Sequence, residues 1–197
     1  MANKIPLRFG YTDTDPTSFD EFSSGDTLAG TWTDAATDTA RGTVELAVAS
    51  EVNTGTSNSL AVTPDALAGS NMSVRYYQMI PFDFGTDIAT GDGKYYFHVP
   101  PALNGMNLVY VHARVITAGT TNTSDIQIAN VTDSVDMLST KLTIDSGETG
   151  SDTAAAAAVI DTDKDDVATN DLIRIDVDAA STTKPKGLII TMGFQLP

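Results

Sequence analysis

The run Met106–Thr117, MNLVYVHARVIT, narrows the possible folds of this chain more than any other stretch. Leu108, Tyr110, His112, Arg114 and Ile116 alternate with Val109, Val111, Ala113 and Val115, and a period of two is what a pleated strand with one buried face demands. The second set is wholly apolar. Strict alternation therefore puts Val109, Val111 and Val115 into a core shared with other runs of the same kind.

Those runs cover 74–82, 94–99, 124–129, 138–144, 171–177 and 187–196, with a short one at 159–160. Turn chemistry separates them: Gly91-Asp92-Gly93 and Leu103-Asn104-Gly105 read as tight turns, and 118–123 as a polar loop. The apolar faces are Phe97 with Val99, Ile126 with Ile128, and Leu142 with Ile144. Two longer ones are Ile173, Ile175 and Val177, and then Leu188, Ile190, Met192, Phe194 and Leu196. Each such side chain contributes roughly 1.5 to 3 kcal/mol when fully buried. Residues 72–197 thus read as a self-sufficient jelly-roll-like β-sandwich. The 28 Thr against 4 Glu agree, because Thr is β-branched and Glu is a good helix former.

The front of the chain reads differently. Residues 1–45 hold few aliphatic groups (Ile5, Leu7, Leu28 and Val44) among Thr, Asp, Ser and Gly, too few for a core. Phe9, Tyr11, Phe19, Phe22 and Trp32 recur through them as anchors for an extended attachment arm. The alternative is a strand and loops packed on the chain's own C-terminal domain. In 46–71, helical turns end at Gly55, and Thr63-Pro64 supplies an N-cap with a first-turn proline, giving a short helical linker. The expected class is all-β with minor helix, in three parts: arm, linker and sandwich.

The spacing Glu51-Val52, Gly55, Val62-Thr63-Pro64, Leu67 resembles the linker of tail-fibre, collar and head-fibre proteins of tailed bacteriophages. Leu60-Ala61 stands where that family often has a charged or aromatic residue, and the pattern occurs once where long fibres repeat it. The resemblance implies a homotrimer with Val52, Val62 and Leu67 as contacts between subunits. The stretch from Leu103 through the alanine run, then DDVATNDLIRIDVD and PKGLIITM, is similar to a β-sandwich module of phage tail and virion structural proteins. That likeness implies a structural or adhesive role without chemistry.

Composition sets further bounds. The net charge is −15, with Asp supplying 22 of the 26 acidic groups, and such a field repels a phosphate backbone, so no nucleic-acid partner is expected. The absence of Cys excludes disulfides and thiolate metal sites. MANKIPLRFG lacks the apolar stretch of a secretory signal, and no run reaches the length of a membrane span, so no membrane insertion is expected.

Asp161, Asp163 and Asp165 have metal-ligand spacing and are the candidate cation ligands. An EF-hand is excluded because Asp166 replaces the turn glycine and Leu172 the bidentate glutamate. His98 and His112 lack a third ligand, and no nucleophile elbow or phosphate loop is present. No catalytic residue and no cofactor is expected. The reading is a non-enzymatic virion protein, made in the host cytoplasm: a trimeric capsid decoration, cement or head-fibre protein bound to the major capsid protein or another virion protein. The alternative is a short tail fibre or adaptor binding a host-surface glycan or protein, with Tyr76, Tyr77 and Tyr96 as glycan candidates.

Overall fold

The computed structural model describes Arg8–Phe9, Phe19–Asp20 and residues 44–197, and the chain divides into two compact units. One comprises Met1–Ala47 with Thr56–Ala61. Within it β1 (Arg8–Phe9) pairs antiparallel with β2 (Phe19–Asp20), and β3 (Glu45–Leu46) pairs parallel with β4 (Leu60–Ala61).

The other unit, Val48–Gly55 with Val62–Pro197, holds two short helices, α1 (Ala49–Thr54) and α2 (Pro64–Ala68), and then a run of strands. In chain order these are β5 (Arg75–Asp87), β6 (Gly91–His98), β7 (Met106–Thr117), β8 (Ser124–Asn130), β9 (Val135–Asp136) and β10 (Leu138–Thr140). There follow β11 (Leu142–Ile144), β12 (Val159–Ile160), β13 (Asp166–Val167), β14 (Leu172–Ala179) and β15 (Lys186–Gln195). Two sheets form, β13-β7-β15-β5 and β11-β8-β14-β6, with β9 beside β8, while β10 and β12 make a separate small ribbon.

The connectivity has a simple rule. Setting aside β9, β10 and β12, eight strands remain, and the first pairs with the last (β5 with β15), the second with the seventh (β6 with β14), the third with the sixth (β7 with β13) and the fourth with the fifth (β8 with β11). All four pairs are antiparallel, so the chain is one long folded ladder. Pairing of β7 with β15 and β8 with β14 rolls that ladder into two facing sheets, which is a jelly roll. Both inner faces feed one core: Ile126, Ile128, Ile173, Ile175 and Val177 from one sheet, Leu108, Val115, Leu188, Ile190, Met192 and Phe194 from the other. Tyr77, Phe97 and Phe194 knit the sheets together, with Tyr77 and Phe97 centroids 5.1 Å apart and Phe97 stacked on Phe194 at 6.2 Å.

Most runs fall where expected, and the departures have physical causes. In β7, Val109 is 43% exposed while Leu108 is 1% exposed, the reverse of strict alternation. Gly193 pairs with Tyr110 but the next residue, Phe194, pairs with Leu108, so Val109 is a bulged residue that shifts the parity of the strand. Beyond the bulge Ala113 and Val115 face the core as expected, and Val111 packs against it. Gly91-Asp92-Gly93 opens β6 instead of forming the turn before it. Gly91 pairs with Val177, Gly93 has φ +67°, and its N–H donates to Asp176 Oδ1 at 2.7 Å.

The 138–144 run splits at Lys141, so that β10 joins β12 and β11 joins β8. Leu196 lies beyond the end of β15 and is exposed. Asp176, on the face opposite Ile175, is nonetheless buried, because Arg174 donates to it from Nε and NH2.

The parity shift is testable by urea unfolding. Leu108→Ala should cost about 2 to 5 kcal/mol, as expected for a truncated core leucine. Val109→Ala should stay near the ±0.5 kcal/mol usual for surface changes. Equal losses, or the opposite order, would remove the bulge from the account.

Candidate interaction surface

The helical segment is built from local chemistry. Val48 precedes α1, and the Glu51 carboxylate reaches back to accept its N–H at 2.9 Å; Gly55, at φ +63°, ends the helix in the left-handed region, with its N–H donating to Glu51 O. In α2, Thr63 Oγ1 accepts the Ala66 N–H at 3.1 Å and Pro64 occupies the first turn. Helices of six and five residues are too short to persist alone.

Tertiary contacts hold them. Val52 of α1 and Ala66 of α2 are the buried residues of the packed pair, and the Asn71 N–H donates to Asn53 Oδ1 at 2.7 Å. At the end of β15, Gln195 Nε2 lies 2.9 Å from Ala68 O, 2.8 Å from Ser70 O and 2.9 Å from Ser73 Oγ. One side-chain amide, with two hydrogens shared among three acceptors, thus pins the segment after α2 to the last strand. Sequence reading treats the linker and the sandwich as separate regions, and α1 and α2 belong to the same compact unit as the sandwich. Nothing in the sequence marks Gln195 as the tether, since its partners lie more than a hundred residues away.

The three residues assigned to subunit contacts divide. Val52 is 9% exposed, buried within its own chain, whereas Val62 is 54% exposed and Leu67 is 45% exposed. Val48 and Met72 are exposed beside them in the sequence. The helical segment thus presents four large apolar side chains to water. In the other unit Val44 and Leu46 are also exposed. Of the arm anchors, Tyr11, Phe22 and Trp32 lie outside the described residues; Phe9 and Phe19 pair through their backbones, and their side chains lie outside the described part.

The acidic loop is used structurally. Asp161 Oδ2 pairs with Lys164 Nζ at 2.9 Å, its Oδ1 accepts the Asp163 N–H at 3.2 Å, and the hydrogen bond from Lys164 holds its carboxyl below the usual range. Asp165 is buried instead, and its backbone carbonyl accepts the Leu108 N–H at 2.7 Å. Asp166 and Val167 are β13, which sequence reading misses, as it does β9, because two residues give no periodicity. Among the described residues no group of three His, Cys, Asp or Glu side chains is placed to hold a metal ion, so Asp161, Asp163 and Asp165 do not converge on one point.

The two histidines lie on different sheets, and His112 Nε2 sits 3.3 Å from Asp152 Oδ1, a contact that lowers the pKa of Asp152. Tyr76, Tyr77 and Tyr96 likewise do not form one site. Tyr77 packs inward on Phe97 and Phe194, and Tyr96 belongs to the opposite sheet from Tyr76. Among the described residues no helix is long and apolar enough to cross a membrane. Compared with protein-family models, curated proteins and solved structures, the chain matches none.

Two measurements follow from this geometry. Gln195→Ala should lower the local opening free energy over 63–73 by about 1 to 3 kcal/mol, the usual cost of orphaned acceptors, speeding amide hydrogen exchange there while leaving β8 and β14 unchanged. Uniform acceleration over both regions would contradict a local tether.

Burial raises the pKa of Asp165 above the ordinary 3.8, so its ionised form opposes folding near neutral pH, and this opposition fades as the pH falls through the raised value. Asp165→Asn should therefore be more stable than the parent near neutrality. The difference should shrink on acidification, read from urea midpoints across the pH series; a difference that grew on acidification would reverse the sign.

Proposed function

We propose that this chain is a non-enzymatic structural protein of a bacteriophage particle, a homotrimeric capsid decoration, cement or head-fibre protein. In this reading residues 1–45 attach it to the major capsid protein or another virion protein, the helical segment joins three copies, and the sandwich projects outward. The observation that carries the reading is the exposure of Val48, Val62, Leu67 and Met72 on the packed helical segment, whose stretch after α2 is pinned to β15 by Gln195. A flexible linker could hide such side chains by collapsing on itself. A pinned one needs a partner, and in a closed ring each copy supplies the same surface to its neighbours.

Val62 and Leu67 fit direct contacts between copies, while Val52 supports the helix that carries Val48. Acidity supports the same reading. A chain with net charge −15 stays soluble at the high local concentration of a crowded shell, and the repulsion between sandwiches keeps them apart. The resemblance of the 46–71 segment to phage fibre linkers points in the same direction. The sandwich core is filled by apolar side chains, and of the three candidate ligands Asp161 directs its carboxylate to Lys164 and the Asp163 N–H.

The test is the position and abundance of the chain on purified particles. Many copies spread over the shell are expected, together with failure of the full-length double variant Val62→Asp, Leu67→Asp to decorate particles grown without the native chain. A handful of copies confined to the tail, or normal decoration by the variant, would overturn the proposal.

A further inference from the structure

We infer that the outer face of the β13-β7-β15-β5 sheet is a contact between copies of this chain, laid against a neighbouring sandwich within the trimer. The inference rests on the trimeric reading above and names a second surface for it. A stable interface takes about 800 Å² from each partner, and Val48, Val62, Leu67 and Met72 are too few to supply that area alone.

The sheet face can supply the rest. Tyr77 and Met79 of β5 turn to the core, as do Val111, Ala113 and Val115 of β7. Tyr76, Gln78 and Ile80 therefore face outward on one side of β15, and Tyr110, His112, Arg114 and Ile116 on the other. Tyr76, Ile80, Tyr110 and Ile116 are all exposed. The strand between them is filled level. The Tyr76 and Tyr110 rings meet edge to face beside Gly193 with centroids 5.5 Å apart, while the Phe84 backbone and Ile116 close over Gly187. A level face with apolar side chains and a row of hydrogen-bonding groups (Gln78, Thr191 and His112) suits another folded surface, whereas a small ligand needs a concave site.

This face also continues the helical surface. Val74 Cγ1 lies 3.0 Å from where a Cβ on Gly193 would stand, beside both tyrosines, and Met72 is exposed two residues earlier. Exposed apolar groups thus run from the helical segment onto the sheet, and the intervening Arg75 guanidinium is engaged by Ala102 O.

Charge selects a second copy as the occupant. The chain has 26 acidic groups, yet none is among these outward residues of β5, β15 and β7, whose charges are Arg114 and His112, with Asp152 3.3 Å from His112. Asp83 and Asp87 come later in β5. The opposite sheet turns Asp125, Asp176 and Asp178 outward, against Arg174 and Lys141. Copies that each carry −15 repel one another, and the repulsion is least where a face free of outward carboxylates closes. A basic partner is drawn to the acidic sheet instead. With this face closed, the acidic surfaces stay outside, where they repel other trimers.

The chain has no cysteine, so single thiols report on the face directly. The test is maleimide labelling of full-length Gln78→Cys, on this face, and Tyr96→Cys, on the opposite sheet, with the mass read by sedimentation equilibrium; both positions are exposed in the single chain. At trimer mass the Gln78→Cys thiol should react at least about tenfold more slowly, because the label must wait for the contact to open. Ile80→Asp, an exposed change, should weaken trimer formation at least about tenfold. A trimer with equal labelling rates, or one indifferent to Ile80→Asp, overturns this contact and leaves the helical trimer standing. Protection gained only on assembled particles assigns the face to another virion protein and also overturns it. A monomer removes both readings.

Discussion

Two late strands occupy the middle of both sheets: β15 lies between β5 and β7, and β14 lies between β6 and β8. Each satisfies the backbone of strands that come much earlier in the chain, so neither sheet is complete until the last thirty or so residues have been placed. Strand pairing at such long sequence separation costs loop-closure entropy before any of it is recovered. What recovers it is the apolar face of these same strands. Ile173, Ile175, Val177, Leu188, Ile190, Met192 and Phe194 are fully buried, and they sit where the two sheets press together.

The outer faces and edges inherit their properties from this arrangement. Because β15 is central, its outward residues can be small, and the glycines at 187 and 193 let neighbouring strands crowd over it. At the edge, β5 is long and exposed, and it carries Pro81, Asp83, Asp87 and two register shifts against β15. A missing donor, charges and a twisted edge all discourage another strand from adding there. The helical segment is fixed from the same end of β15 through Gln195. Gln195 thereby ties the stretch after α2 to the last strand.

The sequence reveals the sandwich because alternation over seven or more residues is a strong signal, and β7, β8, β14 and β15 all lie within one or two residues of where it puts them. It misleads about Val109, since a bulge depends on pairing with Gly193 and Phe194 at the far end of the chain, which no local window contains. It also misses the two-residue β13, whose formation depends on β7 offering an edge to the acidic loop.

The exposed helical residues were legible in part. Val62 and Leu67 stand out through spacing and are exposed, but Val52 shares their pattern and is buried, because side-chain direction on so short a helix is decided by what packs beneath it. The pairing of Tyr76 with Tyr110 across β15 could not be read at all. Tyr76, Tyr110 and Gly193 come together only through sheet register, and the sequence offers Tyr77 and Tyr96 with equal force.

The sandwich fills its own core, while the helical segment displays Val48, Val62, Leu67 and Met72 to water, and the proposed trimer would cover them. The most direct measurement is the solution mass of the intact chain by sedimentation equilibrium at micromolar concentration. The account predicts three times the 20.7 kDa chain mass, persisting on dilution and at raised salt as an apolar contact should. A single species at 20.7 kDa across that range would contradict it.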